Sequence, residues 1–193
     1  MAHFADIKID DLTLGDVHPG RTSTAPISVD SAPLRVSLAT LDAPATVAWH
    51  PRGFEGDERP RADMLLLVSP ECLSWVASVE SAVLAILQKD PERYLKGSTA
   101  DGLGLIFRNA IKETKLGLAV RAKVTVNGRY PVYCWGKERE RVPLPADLGG
   151  ARVLPLVRAT HVWLSPTSVG VLWDVSDLMV PSTRQPHECP WDF

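Results

Sequence analysis

Basic and aromatic side chains recur at alternate positions in the segment 121–141, which reads RAKVTVNGRYPVYCWGKERER. Side chains two residues apart in a β-strand lie on the same face, so Arg121 and Lys123 are expected to project together. An Asn-Gly turn would then reverse the chain. The returning strand would continue the same face with Arg129, Tyr133, Trp135, Lys137, Arg139 and Arg141. Cations that follow phosphates, interleaved with rings on which bases stack, are what single-stranded nucleic acid requires, so the spacing predicts a nucleic-acid-binding face.

The same spacing also suits the solvated edge of an ordinary sheet. The run KERER, residues 137–141, is of the kind that keeps sheet edges from aggregating. The aromatic residues would then be cross-strand packing pairs rather than stacking platforms. Spacing alone leaves both interpretations open.

The distribution of charge favours the binding interpretation. The net charge of the chain is -2, yet residues 108–158 hold 11 Lys and Arg against 4 Asp and Glu. The remainder holds 10 Lys and Arg against 19 Asp and Glu. A chain with one positive region can bind a polyanion locally although its total charge is close to zero.

Cysteine and histidine spacing predicts neither a disulfide framework nor a metal site. The three cysteines, Cys72, Cys134 and Cys189, are widely spaced, and no CxxC or HExxH motif occurs. We therefore expect no metal and no cofactor. The acidic start of the chain does not resemble a secretory signal, and no apolar run has the length of a membrane span. The sequence predicts an intracellular protein, in the cytoplasm or nucleus of a host, that is neither secreted nor membrane-bound.

No catalytic constellation is evident, so we expect a protein that is not an enzyme. Ser69 and Cys72 have no convincing histidine partner, and Cys72 fits the apolar stripe of a helix. The glycine-rich stretch 101–105 lacks the Gly-Lys-Ser/Thr ending of a phosphate-binding loop. His161 lies in an apolar strand and is interpreted as a core or surface histidine.

The predicted order of elements is strands, then helices, then strands. Ser69 can cap a helix that begins at Pro70, and a second helix is predicted from about Thr99. Alternating or apolar runs predict strands at 33–41, 45–51, 64–69, 116–126, 151–165 and 169–180. The fold class is therefore mainly β with a helical insertion (α+β). The preferred architecture is an OB-like five-stranded barrel with two helices inserted between early and late strands.

The predicted domain organisation has three parts. Residues 1–32 are expected to be irregular, residues 33–181 to form the barrel with its helical insertion at about 69–113, and residues 182–193 to be a tail. Trp75, Trp163 and Trp173 are expected in the core. Trp191 lies instead in the terminal stretch HECPWDF, which could dock on its own domain, occupy the cationic groove or bind a partner protein.

These features together resemble the single-stranded-DNA-binding proteins of T-seven-like phages and their relatives in large DNA viruses. The similar parts are LAVRAKVTV, the stretch VLPLVRATHVWLSPTSVGVLWDVSDLMV, and Trp191-Asp192-Phe193. The resemblance implies an OB fold with a helical insertion and a role in DNA replication, recombination or repair. It also implies that Arg121 and Lys123 line the DNA groove and that Phe193 contacts replication proteins. The tail here is less acidic than that of the family. The sequence does not decide between a monomer and a homodimer.

A different class of function is also compatible with the sequence. The chain would then be a non-catalytic structural or protein–protein interaction subunit, whose basic segment meets an acidic neighbour. Binding of a dT oligomer that weakens with salt would distinguish nucleic-acid binding from this alternative.

Overall fold

Strands precede and follow a helical segment in the computed structural model, which describes residues 3–49, 61–126, 131–145 and 148–180. Two short 3-10 turns at Phe4–Asp6 and Ile9–Asp11 come first. The early strands are β1 (Leu12–Leu14), β2 (Ser23–Val29), β3 (Ala32–Ser37), β4 (Ala45–Trp49) and β5 (Arg61–Leu67). The helices are α1 (Pro70–Lys89), α2 (Pro91–Tyr94) and α3 (Ala100–Ile106). The late strands are β6 (Ile111–Thr114), β7 (Gly117–Thr125), β8 (Tyr133–Trp135), β9 (Arg141–Val142), β10 (Arg152–Ser165) and β11 (Ser168–Met179).

Helix α1 begins as its sequence predicts. The Ser69 hydroxyl accepts from the Cys72 N–H at 3.2 Å, and Pro70 occupies the first turn, where its missing N–H costs nothing. The apolar stripe that starts at Cys72 is buried through Val83, and Ile86 at its end is partly buried. By length and composition alone α1 is apolar enough to cross a membrane, a test that core helices also pass. In this fold it packs against β1, β7, β11 and α3.

Five of the strands pair in a closed circle. The order is β4–β5–β7–β11–β10 and back to β4, with the β7–β11 pair parallel and the other four pairs antiparallel. The circle closes because β10 is long enough to pair with β11 along most of its length and with β4 at its start. Alternate residues of β7, Val120, Ala122 and Val124, point into the core enclosed by the circle. Arg121 and Lys123 therefore face outward.

The sheet is larger than the predicted five-stranded barrel. The described residues form eleven strands in one sheet. Residues 1–32, predicted to be irregular, contain β1 and β2, and β2 pairs with β10 through His161 opposite Pro26. The alternation that marks β2 is short and interrupted by Pro26, although Ala25 and Ile27 are buried on one side. The helical insertion also ends earlier than predicted, because β6 already begins at Ile111.

The hairpin predicted at Asn127-Gly128 does not form between β7 and β8. In the described part of the chain these strands pair not with each other but, one after the other, with β11. Both run parallel to it, with Lys123 opposite Asp174 and Tyr133 opposite Asp177. The chain therefore leaves β11 after β7 and rejoins it at β8 in the same direction. Residues 127–130, including the predicted site residue Arg129, lie outside the described residues, as do 182–193 with Trp191, Asp192 and Phe193.

Candidate nucleic-acid interface

An open groove of about 550 Å³ lies on the outer face of β7, β10 and β11. Among the described residues, four cations line it: Arg108, Lys112, Arg121 and Lys123. Asp63, His161, Trp163 and Trp173 are among the other lining residues. We call this surface the cationic groove. Of the predicted binding residues that the structure describes, Arg121 and Lys123 line it.

Two of the four cations come from the segment that follows α3: Arg108 lies in the link between α3 and β6, and Lys112 lies in β6. The Arg108 N–H donates to the carbonyl of Val169 at 2.7 Å, and the Arg121 N–H donates to the carbonyl of Ala110 at 2.9 Å. These bonds hold the link against β11 and β7, so Arg108 and Lys112 stand beside Arg121. Sequence reasoning counted both residues in the basic region without assigning them to a site. The signal that was available is a pair of cations four residues apart, directly after a helix.

Trp163 also lines the groove, in contrast to its predicted place in the core. It is half-buried and lies opposite Gly170 in the β10–β11 pairing. A Cβ atom at Gly170 would come within 2.8 Å of the Trp163 Cζ2 atom, so the indole lies directly against the glycine backbone. Because Gly170 has no side chain, the Trp163 ring can pack flat against its backbone beside the cations. Trp75 and Trp173 are buried, as predicted.

His161 is a groove residue rather than a base with a partner. Burial lowers its pKa, the positive charge of Arg61 lowers it further, and Asp174 acts in the opposite direction. Its Nδ1 lies 3.0 Å from the Thr160 hydroxyl. We therefore expect a neutral imidazole at neutral pH, which offers a flat ring and one N–H.

A buried carboxylate supports the groove from behind. Glu80 in α1 is 2% exposed, and its two oxygens accept from the Ala110 N–H at 2.9 and 3.1 Å. Burial raises the pKa of Glu80 to about 6, while the bond from Ala110, a bond from Trp173 and the charges of Lys112 and Arg121 oppose the rise. Sequence reasoning missed this residue. Its signal is a carboxylate directly after Val79 in an apolar helical stripe.

Ion pairs divide the outer face into two parts. Lys123 Nζ lies 2.8 Å from Asp63 Oδ1, and Arg61 Nη2 lies 2.7 Å from Asp174 Oδ2. By contrast, no carboxylate oxygen of the described residues lies within 4.0 Å of the side-chain nitrogens of Arg108, Lys112 or Arg121. The cationic groove thus has an open end beside Trp163, where the three cations form no ion pair within the described residues, and a paired end at Lys123.

The predicted aromatic residues of β8 lie beyond the paired end. The Tyr133 side chain is 40% exposed and borders a smaller hollow of about 280 Å³, together with Arg35 and Arg158. The guanidinium carbon of Arg141 lies 4.5 Å from the centre of the Tyr133 ring. Tyr133 therefore presents an open ring with one cation already stacked on it.

Trp135 is less available than Tyr133. Its indole N–H donates to Asp177 Oδ1 at 3.1 Å, and the same carboxylate is paired with Arg35 at 2.9 Å. The structure brings Trp135 and Arg141 together as neighbours on β8 and β9. The Trp135 ring is therefore fixed by a hydrogen bond within the sheet.

The sequence predicts that Lys137 and Arg139 continue the strand face, but they do not. They lie in the turn between β8 and β9, where Arg139 has a φ of 64° and the Gly136 N–H donates to the Glu140 carbonyl at 2.9 Å. A residue with positive φ breaks the alternation that would have aligned the cations. Both side chains are exposed, with Glu138 and Glu140 beside them in the same turn.

No group of three or more His, Cys, Asp or Glu side chains that could hold a metal ion occurs within the described ranges. Cys72 and Cys134 are free and buried. Burial raises the pKa of the Cys72 thiol to about 12, so it is a poor nucleophile.

No protein-family model matches the sequence, and no curated protein matches it significantly. Among solved structures the chain is similar to the single-stranded DNA-binding protein from bacteriophage Enc34, with 12% identity, a TM-score of 0.47 and coverage of 93% of this chain and 96% of that one. The complex of that protein with ssDNA gives 12% identity, a TM-score of 0.48 and coverage of 91% and 98%. The C-terminal truncation of that protein gives 12% identity, a TM-score of 0.45, and coverage of 90% of this chain and 97% of that one. The resemblance is to a phage single-stranded DNA-binding protein, and at this level of similarity it assigns no function to the present chain.

Proposed function

We propose that this protein binds single-stranded nucleic acid, in the first place ssDNA, without sequence preference and through the cationic groove. The observation that carries the proposal is the open end of that groove, where Arg108, Lys112 and Arg121 form no ion pair with any described carboxylate and lie beside the half-buried ring of Trp163. Free cations follow a phosphate backbone, and an indole accepts any base by stacking.

The position of the groove within the fold supports the same function. The closed circle of five strands has the strand number of an OB-type barrel, the architecture predicted from the sequence. In that fold oligonucleotides bind across the face of the second and third strands. Counted along the circle in chain order, β5 and β7 are the second and third strands, and they contribute Asp63, Arg121 and Lys123 to the groove.

The wider assignment follows from the resemblance of the sequence. The protein would act in DNA replication, recombination or repair inside a host cell, as a single-stranded-DNA-binding protein of the T-seven-like phage and large DNA virus type. The terminal residues Trp191, Asp192 and Phe193 would contact replication proteins. Tyr133, with Arg141 stacked on it, would extend the bound strand beyond the cationic groove, and Arg129 remains a predicted contact. The remaining predicted residues, Trp135, Lys137 and Arg139, are secondary candidates.

The alternative function, an interaction subunit without nucleic-acid binding, is favoured by one observation. Three leucines around the end of α3 and the β6–β7 turn have largely exposed side chains: Leu105 (82%), Leu116 (69%) and Leu118 (51%). Exposed apolar residues of this kind can serve contacts with other proteins.

A salt-dependent titration of a fluorescent dT oligomer tests the proposal, with Arg121→Gln and Arg139→Gln as matched variants. Each removes one positive charge, but Arg121 lines the groove and Arg139 lies in the β8–β9 turn. The three cations of the open end predict a log–log salt slope of about -2, because each phosphate contact on a single strand contributes roughly -0.7. Arg121→Gln should weaken binding severalfold and reduce the slope by about 0.7, whereas Arg139→Gln should cause a smaller loss, because Arg139 is a secondary candidate outside the groove. Equal losses of affinity in both variants would mean that the strand binds outside the groove. If wild type does not bind the oligomer, the proposal is wrong and the interaction subunit is the remaining function.

A further inference from the structure

We infer that Asp63 limits the affinity of the cationic groove because its carboxylate pairs with Lys123 and competes with a phosphate for that position. This inference rests on the proposed function and specifies how the same site is regulated. Asp63 is thus a residue that sets affinity and the length of strand bound, rather than a residue that contacts the nucleic acid.

The geometry of the pair makes it a competitor for phosphate. Asp63 lies directly opposite Lys123 in the β5–β7 pairing, with the oxygen and nitrogen 2.8 Å apart. The two side chains are 34% and 37% exposed, but the Asp63 oxygen that faces Lys123 is itself buried, so a bound strand reaches the pair from the lysine side. An ammonium group that lies against a carboxylate attracts a phosphate less strongly, because the carboxylate offsets its charge and repels a phosphate that approaches.

Exchange of the partner is possible because the two groups are in contact without a hydrogen bond. Asp63 Oδ1 lies 2.8 Å from Lys123 Nζ but has no hydrogen-bond partner among the described residues, so the donors of the ammonium group remain available to a phosphate. A phosphate can therefore replace Asp63, but the gain is reduced by the loss of the original ion pair. At the open end of the groove Arg108, Lys112 and Arg121 need no such exchange, so the strand is expected to be centred there.

Asp63 differs from the other carboxylates on this face. Asp174 and Asp177 have side chains that are 16% and 17% exposed. Asp177 also accepts from Trp135 and from the Ser176 hydroxyl, so its removal would disturb the sheet. Asp63 can be replaced without dismantling such a network, which makes it the position where the inference can be tested.

The test compares Asp63→Asn with Asp16→Asn by titrating a dT oligomer across a range of salt concentrations. Both variants remove one negative charge and one surface ion pair, since Asp16 is bonded to Arg93 at 3.0 Å outside the groove lining. Asp63→Asn should tighten binding about fivefold and steepen the log–log salt slope by about 0.7, the equivalent of one further phosphate contact. Asp16→Asn should change neither quantity. Unchanged or weaker binding by Asp63→Asn would overturn the inference.

A double-mutant comparison separates occupation of Lys123 from a general effect of charge. If Asp63 acts by holding Lys123, the gain from Asp63→Asn disappears in a Lys123→Gln background. A gain of the same size in that background would overturn the inference. Asp63→Ser repeats the comparison with a smaller polar side chain, should Asp63→Asn unfold in a thermal melt.

Failure of the inference differs from failure of the proposed function. Wild-type binding that depends on Arg121, combined with no gain in Asp63→Asn, would overturn the inference and leave the proposed function in place. No binding of the dT oligomer by wild type or by Asp63→Asn would overturn both.

Discussion

The indole N–H of Trp173 donates to Glu80 Oε1 across 3.3 Å, and thereby joins a strand of the cationic groove to helix α1. The same oxygen accepts the N–H of Ala110, which lies in the link between Arg108 and the start of β6. One buried carboxylate thus fixes the helical insertion and the groove wall to each other.

Replacing Glu80 by alanine should destabilise the fold by about 2–4 kcal/mol, because two buried N–H groups lose their acceptor. Glu80→Gln should cost less, since the amide oxygen can still accept both bonds. Denaturant unfolding followed by circular dichroism measures both free energies of unfolding. Equal losses in the two variants would contradict a role as acceptor.

Stability should depend on pH through Glu80. Burial raises its pKa from 4.5 to about 6, so the folded state binds a proton more tightly than the unfolded chain does. The stabilisation this provides is complete below pH 4.5 and is lost as pH rises through about 6, with a magnitude on the order of 2 kcal/mol. The difference in free energy of unfolding, wild type minus Glu80→Gln, should therefore decrease as the pH is raised from 4.5 to about 6. His161, whose pKa is lowered, is present in both proteins and cancels from the difference.

Gly170→Ala should destabilise the protein by about 1–3 kcal/mol and move the Trp163 ring. The added methyl group would lie 2.8 Å from both the Arg108 carbonyl oxygen and the Trp163 ring. Gly104→Ala is the matched control, because its nearest neighbour is the end of the Gln88 side chain at 3.4 Å. That change in α3 should be neutral or stabilising. Thermal unfolding and tryptophan fluorescence report both effects.

Trp163→Ala should weaken binding of a dT oligomer by about 1–3 kcal/mol through loss of one stacked base, while Trp163→Phe should retain most of the affinity. The comparison variant is Trp135→Phe, which changes an indole that the Asp177 carboxylate holds outside the groove. A larger loss in Trp135→Phe than in Trp163→Ala would locate the strand on the β8 side of the sheet.

Ser69→Ala should lower the free energy of unfolding by about 1 kcal/mol, because the Cys72 N–H at the start of α1 loses its cap. Ser78 lies within the same helix and its hydroxyl donates to the Ser74 carbonyl at 2.9 Å. Ser78→Ala should be neutral or slightly stabilising, since alanine is the better helix former. Similar losses at both positions would argue against the cap.

The elements that could be predicted from the sequence are those whose signals lie within one element. Ser69 and Pro70 mark the start of α1, and alternation along β7 separates the buried Ala122 from the outward Lys123. The five-strand count was wrong because the shorter strands, such as β2, carry too few alternating residues to stand out.

The groove could be predicted only in part. Arg121 and Lys123 share a face by strand geometry alone. Arg108 joins them only through a backbone bond to β11, and Trp163 faces outward beside Gly170, so both depend on tertiary contacts. The predicted hairpin failed for the same reason, since pairing with β11 decides the direction of β8.

Because β7 and β8 each pair with β11, the register of both strands is set by a third strand. The Val132 N–H also donates to the Thr125 carbonyl at 2.8 Å, so the two points at which the chain leaves β7 and approaches β8 are held together. We therefore expect both strands to keep their register when a short peptide is inserted between these two residues.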